Sequence, residues 1–198
     1  MALLASMTND IRLKLSICPL PLDGVQLIRS TRISDDRGYF AETYVRSDFV
    51  AVGIENDFVQ DNESGSFAPG TVRGLHFQIP PFAQTKLVRV LRGRILDVVV
   101  DLRRTSLTYC EHLAIELDGV IGDQLLVPVG FAHGFCTLEP DTIVFYKVDK
   151  VYSAHHDRGI YWADAKLNIQ WPVAEAKAIV SKKDRGLPPF SDLQAYFE

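Results

Sequence analysis

Short β-type runs separated by turn-forming residues extend over most of this chain. Each run is rich in β-branched and aromatic residues and is bounded by Gly, Pro, Asp or Asn, which is typical of strands joined by tight turns. The runs cover residues 25–31, 38–44, 86–91, 95–102, 112–117, 124–128 and 142–148. So many short strands in one chain favour a sandwich or a barrel. We therefore predict an all-β fold in which helix is a minor component.

Helical signals are few. Ser47 is a candidate N-cap for a short helix ending at Gly53, and Ser191 is a candidate N-cap for a helix near the C-terminus. The sequence contains no internal repeat, low-complexity tract or linker-like segment at which a second domain could begin. We predict one domain over residues 15–198, preceded by a loose N-terminal extension over residues 1–14 that lacks the pattern of a signal peptide.

Composition narrows the class of protein. A chain of 198 residues with 47% hydrophobic residues can bury a core without disulfides, and a net charge of −4 argues against general nucleic-acid binding. The three cysteines are far apart, which favours a reducing compartment, so we expect a cytoplasmic protein. No apolar run approaches the ~20 residues that span a bilayer, so we expect no membrane segment.

Period-two alternation identifies side chains that share a strand face. In the run 142–148, Tyr146 lies on the same side as Val144 and Val148. In the run 86–91, Lys86 shares its side with two valines. A polar or ionisable group on an apolar face either reaches the rim of the sheet or lines a cavity in which it has a function.

Residues 122–133 contain a Gly, five residues, Pro, one residue, Gly, two residues and His133, a spacing that resembles the second cupin motif. The first cupin motif normally supplies His-x-His and then Glu as further metal ligands. Here the pair reads His76-Phe-Gln78, and no Glu follows before Glu111. Because two ligands hold a transition metal poorly, we expect a barrel without a metal site.

Eight segments together resemble the dTDP-4-dehydrorhamnose 3,5-epimerase family, in order and over roughly residues 20–190. They are DRGYFAE (36–42), QDN (60–62), VRGLHFQ (72–78), QTKLV (84–88), DVVVD (97–101), PVGFAHGF (128–135), YK (146–147) and SKKD (181–184). The resemblance implies a cupin-like double-stranded β-helix, or jelly-roll barrel. It also implies a cofactor-free isomerase that inverts C3 and C5 of dTDP-4-dehydro-6-deoxy-D-glucose.

The resemblance assigns four catalytic roles that fit epimerisation beside a ketone, which needs a base, a cation for the enolate and an acid on the opposite face. It makes His76 the base, with Asp184 fixing the imidazole tautomer. Lys86 would stabilise the enolate oxygen, and Tyr146 would return a proton from the other face. A neutral phenol, with an ordinary pKa of about 10, can serve as that donor.

The resemblance also implies contacts with the nucleotide-sugar substrate. Arg37 and Arg73 are candidates for the pyrophosphate, because a guanidinium group pairs well with phosphate oxygens. The remaining candidates are Phe40, Glu42, Gln60, Asn62, His133, Tyr152 and Lys182. In the family the segment 36–40 reaches into the site of the other subunit, so we expect a homodimer in which Arg37 and Phe40 serve the partner.

Taken alone, these residues have ordinary explanations. His76 and His133 could be satisfied core histidines, Tyr146 a core aromatic, and Asp184 part of a solvated turn. The sequence also remains compatible with an epimerase that inverts only C3 or only C5, or that acts on another nucleotide-linked 4-keto sugar. A metal-dependent cupin such as a dioxygenase and a non-catalytic sugar-binding cupin are further alternatives.

Overall fold

The computed structural model describes residues 14–198. Apart from residue 14, the predicted N-terminal extension lies outside the described residues. Within the described part the chain forms fourteen strands, two short α-helices and two single 3₁₀ turns, which confirms the mainly β prediction. None of the helices within residues 14–198 has the length and apolar character needed to cross a membrane.

The strands are β1 (Leu15–Pro19), β2 (Gln26–Ser30), β3 (Arg32–Asp35), β4 (Gly38–Ala41), β5 (Gln60–Ser66), β6 (Thr71–Gln78), β7 (Lys86–Arg92), β8 (Arg94–Asp101), β9 (His112–Asp118), β10 (Gln124–Val127), β11 (Phe131–Thr137), β12 (Thr142–Val148), β13 (Asp157–Gly159) and β14 (Ile179–Val180). The α-helices are α1 (Arg46–Ala51) and α2 (Lys182–Arg185), and the 3₁₀ turns are Glu175–Lys177 and Phe190–Asp192.

Most strands belong to two sheets. The first has the order β1-β2-β10-β7-β12-β5, and the second has the order β13-β6-β11-β8-β9. All of these neighbours pair antiparallel, while β14 adds to β6 in parallel. The hairpin β3-β4 stands apart from both sheets. Apart from β1-β2 and β8-β9, neighbours in each sheet are not consecutive in sequence, as in the predicted jelly-roll barrel.

The main core lies between the two sheets. Val88 and Val144 from the first sheet pack there with Ile95, Val99 and Phe135 from the second. The outer face of the second sheet is covered by the C-terminal part of the chain, and α1 packs on the outer face of the first sheet. Both sheets are therefore covered, and the interior is dry at the end that this core fills.

All seven predicted runs contain strands, whereas the helix predictions were less accurate. A helix forms near Ser47, but its N-cap is Val45, and no side chain caps it. The helix predicted at Ser191 is only a 3₁₀ turn, so that prediction was wrong. No sequence signal predicted α2, whose N-cap Ser181 accepts a hydrogen bond from the backbone N–H of Asp184.

An irregularity in the second sheet changes which side chains face the interior. His133 pairs with His76, but Phe135 pairs with Arg73, so β6 contains one residue more than β11 between these pairs. A Cβ on Gly134 would lie 2.7 Å from the carbonyl oxygen of Arg73. The two backbones approach so closely that only glycine fits there.

Candidate active site

The barrel interior is open at one end. Two cavities of about 480 Å³ and about 290 Å³ lie there, and both are lined by His76, Lys86, Tyr146 and Lys183. Because the same four side chains line both, the cavities adjoin at these residues. The three predicted catalytic residues among them come from β6, β7 and β12, so the fold brings both sheets to one site.

The first sheet supplies Lys86 and Tyr146 from neighbouring strands. Tyr146 pairs with Val88, and Lys86 pairs with Val148, so all four side chains share the inner face that the alternation predicted. Asn62 on β5 is the other cross-strand neighbour of Tyr146. Polar side chains thus occupy the open end of a face whose other end is apolar core.

The second sheet supplies Arg73 and His76, which are three residues apart on β6. In a regular strand such residues would lie on opposite faces. The extra residue in β6 restores a common face, because Arg73 lies opposite Phe135 while His76 lies opposite His133. The bulge is therefore the reason that Arg73 and His76 line the same cavity.

His76 is paired with Asp184. Its Nε2 atom lies 2.7 Å from Oδ1 of Asp184, whose other oxygen accepts a hydrogen bond from the backbone N–H of Gly74. Burial alone would raise the pKa of Asp184, but the hydrogen bond from His76 and its charge outweigh that effect and lower it. With Nε2 engaged, Nδ1 is the nitrogen of His76 that can take a proton.

Lys86 is a buried cation beside this pair. Lys86 is 8% exposed, and its Nζ donates to the backbone carbonyl oxygen of His76 at 3.3 Å. Burial lowers the pKa of Lys86 to about 8, although the negative charges of Asp157 and Asp97 act in the opposite direction. A buried ammonium group of this kind interacts strongly with a negative oxygen brought close to it.

Tyr146 remains a phenol at neutral pH. Burial raises its pKa above the ordinary value of 10.0, against the positive charge of Arg73. Arg73 is held by Ser66, to whose Oγ its Nε donates, and by the carbonyl oxygen of Gly65. Tyr146 is therefore placed to donate a proton in the cavity, and Arg73 presents a fixed positive charge there.

His133 is both buried and part of the cavity wall. Its Nε2 lies 2.9 Å from Oδ1 and 3.0 Å from Oδ2 of Asp97, and its side chain is 8% exposed. It thus has the hydrogen-bonded environment of a core histidine while it lines the larger cavity.

The smaller cavity contains three of the predicted substrate contacts. Gln60 donates to Asn62 at 2.8 Å, and the backbone N–H of Tyr152 donates to Oε1 of Gln60. The phenol of Tyr152 donates to Asp157 at 3.2 Å, and Tyr152 is 56% exposed. An exposed ring at the mouth of a polar cavity can stack against a planar base.

Two residues that the sequence analysis did not select also line the site. Asp157 accepts hydrogen bonds from Tyr152 and from the ammonium of Lys183. Lys183 lines both cavities, whereas the predicted contact Lys182 is exposed and lines neither. Successive helical residues diverge by about 100°, so only one of two adjacent lysines can face the cavity. The pair Lys-Lys before Asp184 was the available signal, but it did not distinguish its members.

The other predicted contacts lie outside this chain's cavity. Arg37 and Phe40 belong to the hairpin β3-β4; the Arg37 side chain is 91% exposed and pairs with Asp35, and Phe40 is 64% exposed. Glu42 follows the hairpin and pairs with Lys14 at 2.8 Å. The hairpin therefore exposes Arg37 and Phe40 to solvent, away from the two cavities.

Gln78, which stands where the cupin motif has its second His, has a structural role. The Gln78 amide donates to the carbonyl oxygens of Phe82 and Val151, and its oxygen accepts from the backbone N–H of Ser153. Among residues 14–198, no group of three or more His, Cys, Asp or Glu side chains is placed to hold a metal ion.

Comparison with known proteins agrees with this geometry. The family model described as dTDP-4-dehydrorhamnose 3,5-epimerase matches residues 19–192. A protein of that name from Sinorhizobium fredii is 47% identical over 179 residues, which cover 90% of this chain and 91% of the relative.

Solved structures give the same result. The crystal structure of dTDP-4-dehydrorhamnose 3,5-epimerase from Bacillus anthracis with TDP and PPi bound is 48% identical, has a TM-score of 0.86, and covers 88% of this chain and 99% of that one. The epimerase from Legionella pneumophila in complex with dTDP-4-keto-L-rhamnose is 34% identical with the same TM-score of 0.86, over 91% and 95% of the two chains. The cupin-like jelly-roll prediction is thereby confirmed, and the chain belongs to the dTDP-4-dehydrorhamnose 3,5-epimerase family.

Proposed function

We propose that this protein is an isomerase that converts dTDP-4-dehydro-6-deoxy-D-glucose to dTDP-4-dehydro-L-rhamnose by inverting C3 and C5. The observation that carries the proposal is one cavity lined by a carboxylate-paired imidazole, a buried ammonium and a partly buried phenol. These are the base, the enolate stabiliser and the acid that proton exchange beside a ketone requires. Family membership and the ligands named for the solved relatives support the choice of substrate.

The first step removes a proton next to the C4 ketone. Nδ1 of His76 takes the proton, and the electron pair of the C–H bond forms a C=C bond while the carbonyl π pair moves onto the C4 oxygen. Asp184 stabilises the imidazolium, and the Lys86 ammonium stabilises the enolate oxygen. The same two charges act whether the carbon is C3 or C5, because both flank the same ketone.

The second step returns a proton to the opposite face. The Tyr146 hydroxyl gives its proton to the carbon as the enolate collapses to the ketone, which leaves a phenolate near the positive charges of Arg73 and Lys86. Exchange with water then restores the phenol and the neutral imidazole. The reaction as proposed uses side chains of the protein alone, with no cofactor.

We propose that Gln60, Asn62, Arg73, His133 and Tyr152 contact the nucleotide sugar, with Lys183 in the role expected for Lys182. All of these side chains line the two adjoining cavities. Arg37, Phe40 and Glu42 would reach the substrate of a partner subunit in a homodimer. The exposure of the hairpin aromatics Tyr39 and Phe40 supports that arrangement. The free cysteines of the described residues support a cytoplasmic location.

The test is proton exchange in deuterated water with dTDP-4-dehydro-6-deoxy-D-glucose, followed by NMR of the sugar ring. The proposal expects deuterium at C3 and C5 and inversion at both carbons. Labelling at one carbon would instead identify a single-centre epimerase, and the absence of labelling across a panel of nucleotide-linked 4-keto sugars would refute the isomerase. Stoichiometric iron or manganese in active protein would support the metal-dependent alternative.

A matched pair of variants distinguishes catalysis from sugar binding alone. His76→Asn should abolish exchange while the protein still binds dTDP. His155→Asn, which changes an exposed histidine that lines neither cavity, should exchange at the wild-type rate. Equal exchange by both variants would remove His76 from the mechanism.

A further inference from the structure

A second pair of imidazole and carboxylate lies inside the barrel beside the first. Asp97 is fully buried, and His133 is the one hydrogen-bond partner of its carboxylate among residues 14–198. The steps proposed above make no use of this carboxylate. A buried carboxylate is costly to desolvate, so its retention next to a reactive cavity calls for a functional explanation.

The second pair lies next to the base. His133 is directly opposite His76 in the register of β6 and β11, and both line the cavity that also contains Lys86. Side chains directly opposite each other in an antiparallel pair have Cβ atoms roughly 5 Å apart. A sugar ring that presents a C–H bond to His76 is therefore within reach of His133.

Asp97 determines which nitrogen of His133 can contact that ring. A carboxylate only accepts hydrogen bonds, so the proton between the two groups lies on Nε2 of His133. In a neutral imidazole the other nitrogen then carries a lone pair. Within the described part of the chain, no group is hydrogen-bonded to Nδ1 of His133.

We propose that Asp97 is a positioning residue that acts through His133, fixing Nδ1 as the acceptor for a sugar hydroxyl so that the neighbouring C–H bond is held toward His76. This inference rests on the proposed function. It adds an orienting contact to the mechanism and leaves proton transfer to His76 and Tyr146.

Asp97 could also influence activity through the charge of Lys86 instead of through His133, and the two routes predict different results. Burial lowers the pKa of Lys86, and the charge of Asp97 is one of those that oppose this effect. If Asp97 acted only on Lys86, its loss would lower activity whether or not His133 were present. The double-mutant cycle of Asp97 and His133 separates the two routes.

The experiment compares Asp97→Asn, His133→Asn and the double variant by deuterium exchange at C3 and C5. We expect Asp97→Asn to lower kcat roughly 10- to 100-fold, as loss of an orienting partner of a functional histidine commonly does, with KM little changed. The double variant should be no slower than His133→Asn alone. Asp101→Asn, which removes another fully buried carboxylate of β8 outside the cavity, should keep the wild-type kcat per folded molecule.

Nitrogen-15 NMR of the imidazoles in the wild-type protein adds a test that needs no variant to fold. We expect His133 to carry its proton on Nε2, the nitrogen that faces Asp97. Protonation of Nδ1 in the wild type, or additive losses in the double-mutant cycle, would overturn the proposal. Absence of exchange in the wild type would instead remove the proposed function, so the two failures are distinguishable.

Discussion

Nε2 of His76 lies 2.7 Å from Oδ1 of Asp184, although 108 residues separate the two in sequence. Three local structures produce this contact: β14 pairs in parallel with the first residues of β6, Ser181 caps α2, and α2 turns Asp184 toward Gly74 and His76. The imidazole is thereby held by a carboxylate from near the C-terminus, and that carboxylate is itself fixed by the backbone N–H of Gly74 and by the capped helix.

Replacing Asp184 by Asn should remove the charge behind His76 while the volume is kept. The imidazolium formed in the first step then loses its stabilising partner, so we expect kcat to fall on the order of 100-fold. Deuterium exchange measured at a saturating substrate concentration gives the effect. Asp192→Asn, at an exposed carboxylate, is the control, and equal rates for the two variants would contradict the assignment.

Replacing Tyr146 by Phe should separate exchange from inversion. His76 can still remove the proton, but the enolate can then be reprotonated only from the side of His76. We expect deuterium to enter the starting sugar while inversion falls at least 100-fold. Proton NMR coupling constants of the recovered sugar report its configuration. Inversion that persists in this variant would require another acid. Tyr161→Phe serves as the structural control, because the phenol of Tyr161 donates to Glu175 and lines neither cavity.

Activity should decline as the pH rises through the pKa of Lys86. Burial lowers that pKa to about 8, so the ammonium is present below this pH and is lost above it. We expect kcat/KM to fall about tenfold per pH unit on the alkaline side. Asp157→Asn should shift this limb to lower pH, because the charge of Asp157 opposes the lowering of the Lys86 pKa. A profile that stays flat to pH 10 would exclude the role of Lys86.

Asp101 should make the fold sensitive to strong acid. Burial raises its pKa, but hydrogen bonds from Arg103, Ser106 and Thr108 outweigh burial and lower it from 3.8 to about 2. The unfolded chain therefore binds the proton more readily, and the stabilisation is present above about pH 4 and lost toward pH 2. We expect Asp101→Asn to lower the free energy of unfolding by about 2 kcal/mol at pH 7. Urea titrations at pH 7 and pH 2.5 should show that difference shrink.

Gly134→Ala should disturb the bulge that aligns Arg73 and His76. The added Cβ would lie 2.7 Å from the backbone oxygen of Arg73, so one of the strands must shift. We expect a loss of about 1–3 kcal/mol in stability together with reduced exchange activity. Gly65→Ala is the control for stability, because a Cβ there meets no atom within 4 Å. Equal melting temperatures for the two variants would show that β6 and β11 tolerate a wider separation.

Much of the sheet structure could be predicted from local pattern. Runs such as 142–148 are rich in β-branched and aromatic residues, and Tyr146 shares its face with Val144 as the period of a strand requires. The strands β6 and β11 were recognised as motifs but not as strands, because Gly74 and Gly134 interrupt their alternation. Local propensity also failed for α2, a helix of four residues that is stabilised by its Ser181 cap and by tertiary contacts.

The site was predicted only in part, for a physical reason. Lys86 and Tyr146 lie on regular strand faces, so their positions follow from periodicity once the sheet is known. His76 lies on the bulged strand β6, where periodicity fails, and its prediction came from the family resemblance. Asp184, Asp157 and Lys183 reach the cavity through the path of the C-terminal part of the chain, which no local pattern encodes, and of these three only Asp184 was predicted, again from the resemblance. The burial of Asp97 behind His133 is likewise a contact between two strands and cannot be seen in either one.

The strand β14 and the helix α2 lie near the end of the chain, and α2 supplies Asp184, the carboxylate that pairs with His76 of β6. During synthesis on the ribosome, the strands of both sheets emerge before Asp184 does. A chain that ended before Ser181 would lack the carboxylate partner of His76. Because Phe190 and Phe197 also cover the outer face of the second sheet, the same C-terminal segment completes both the core and the imidazole–carboxylate pair.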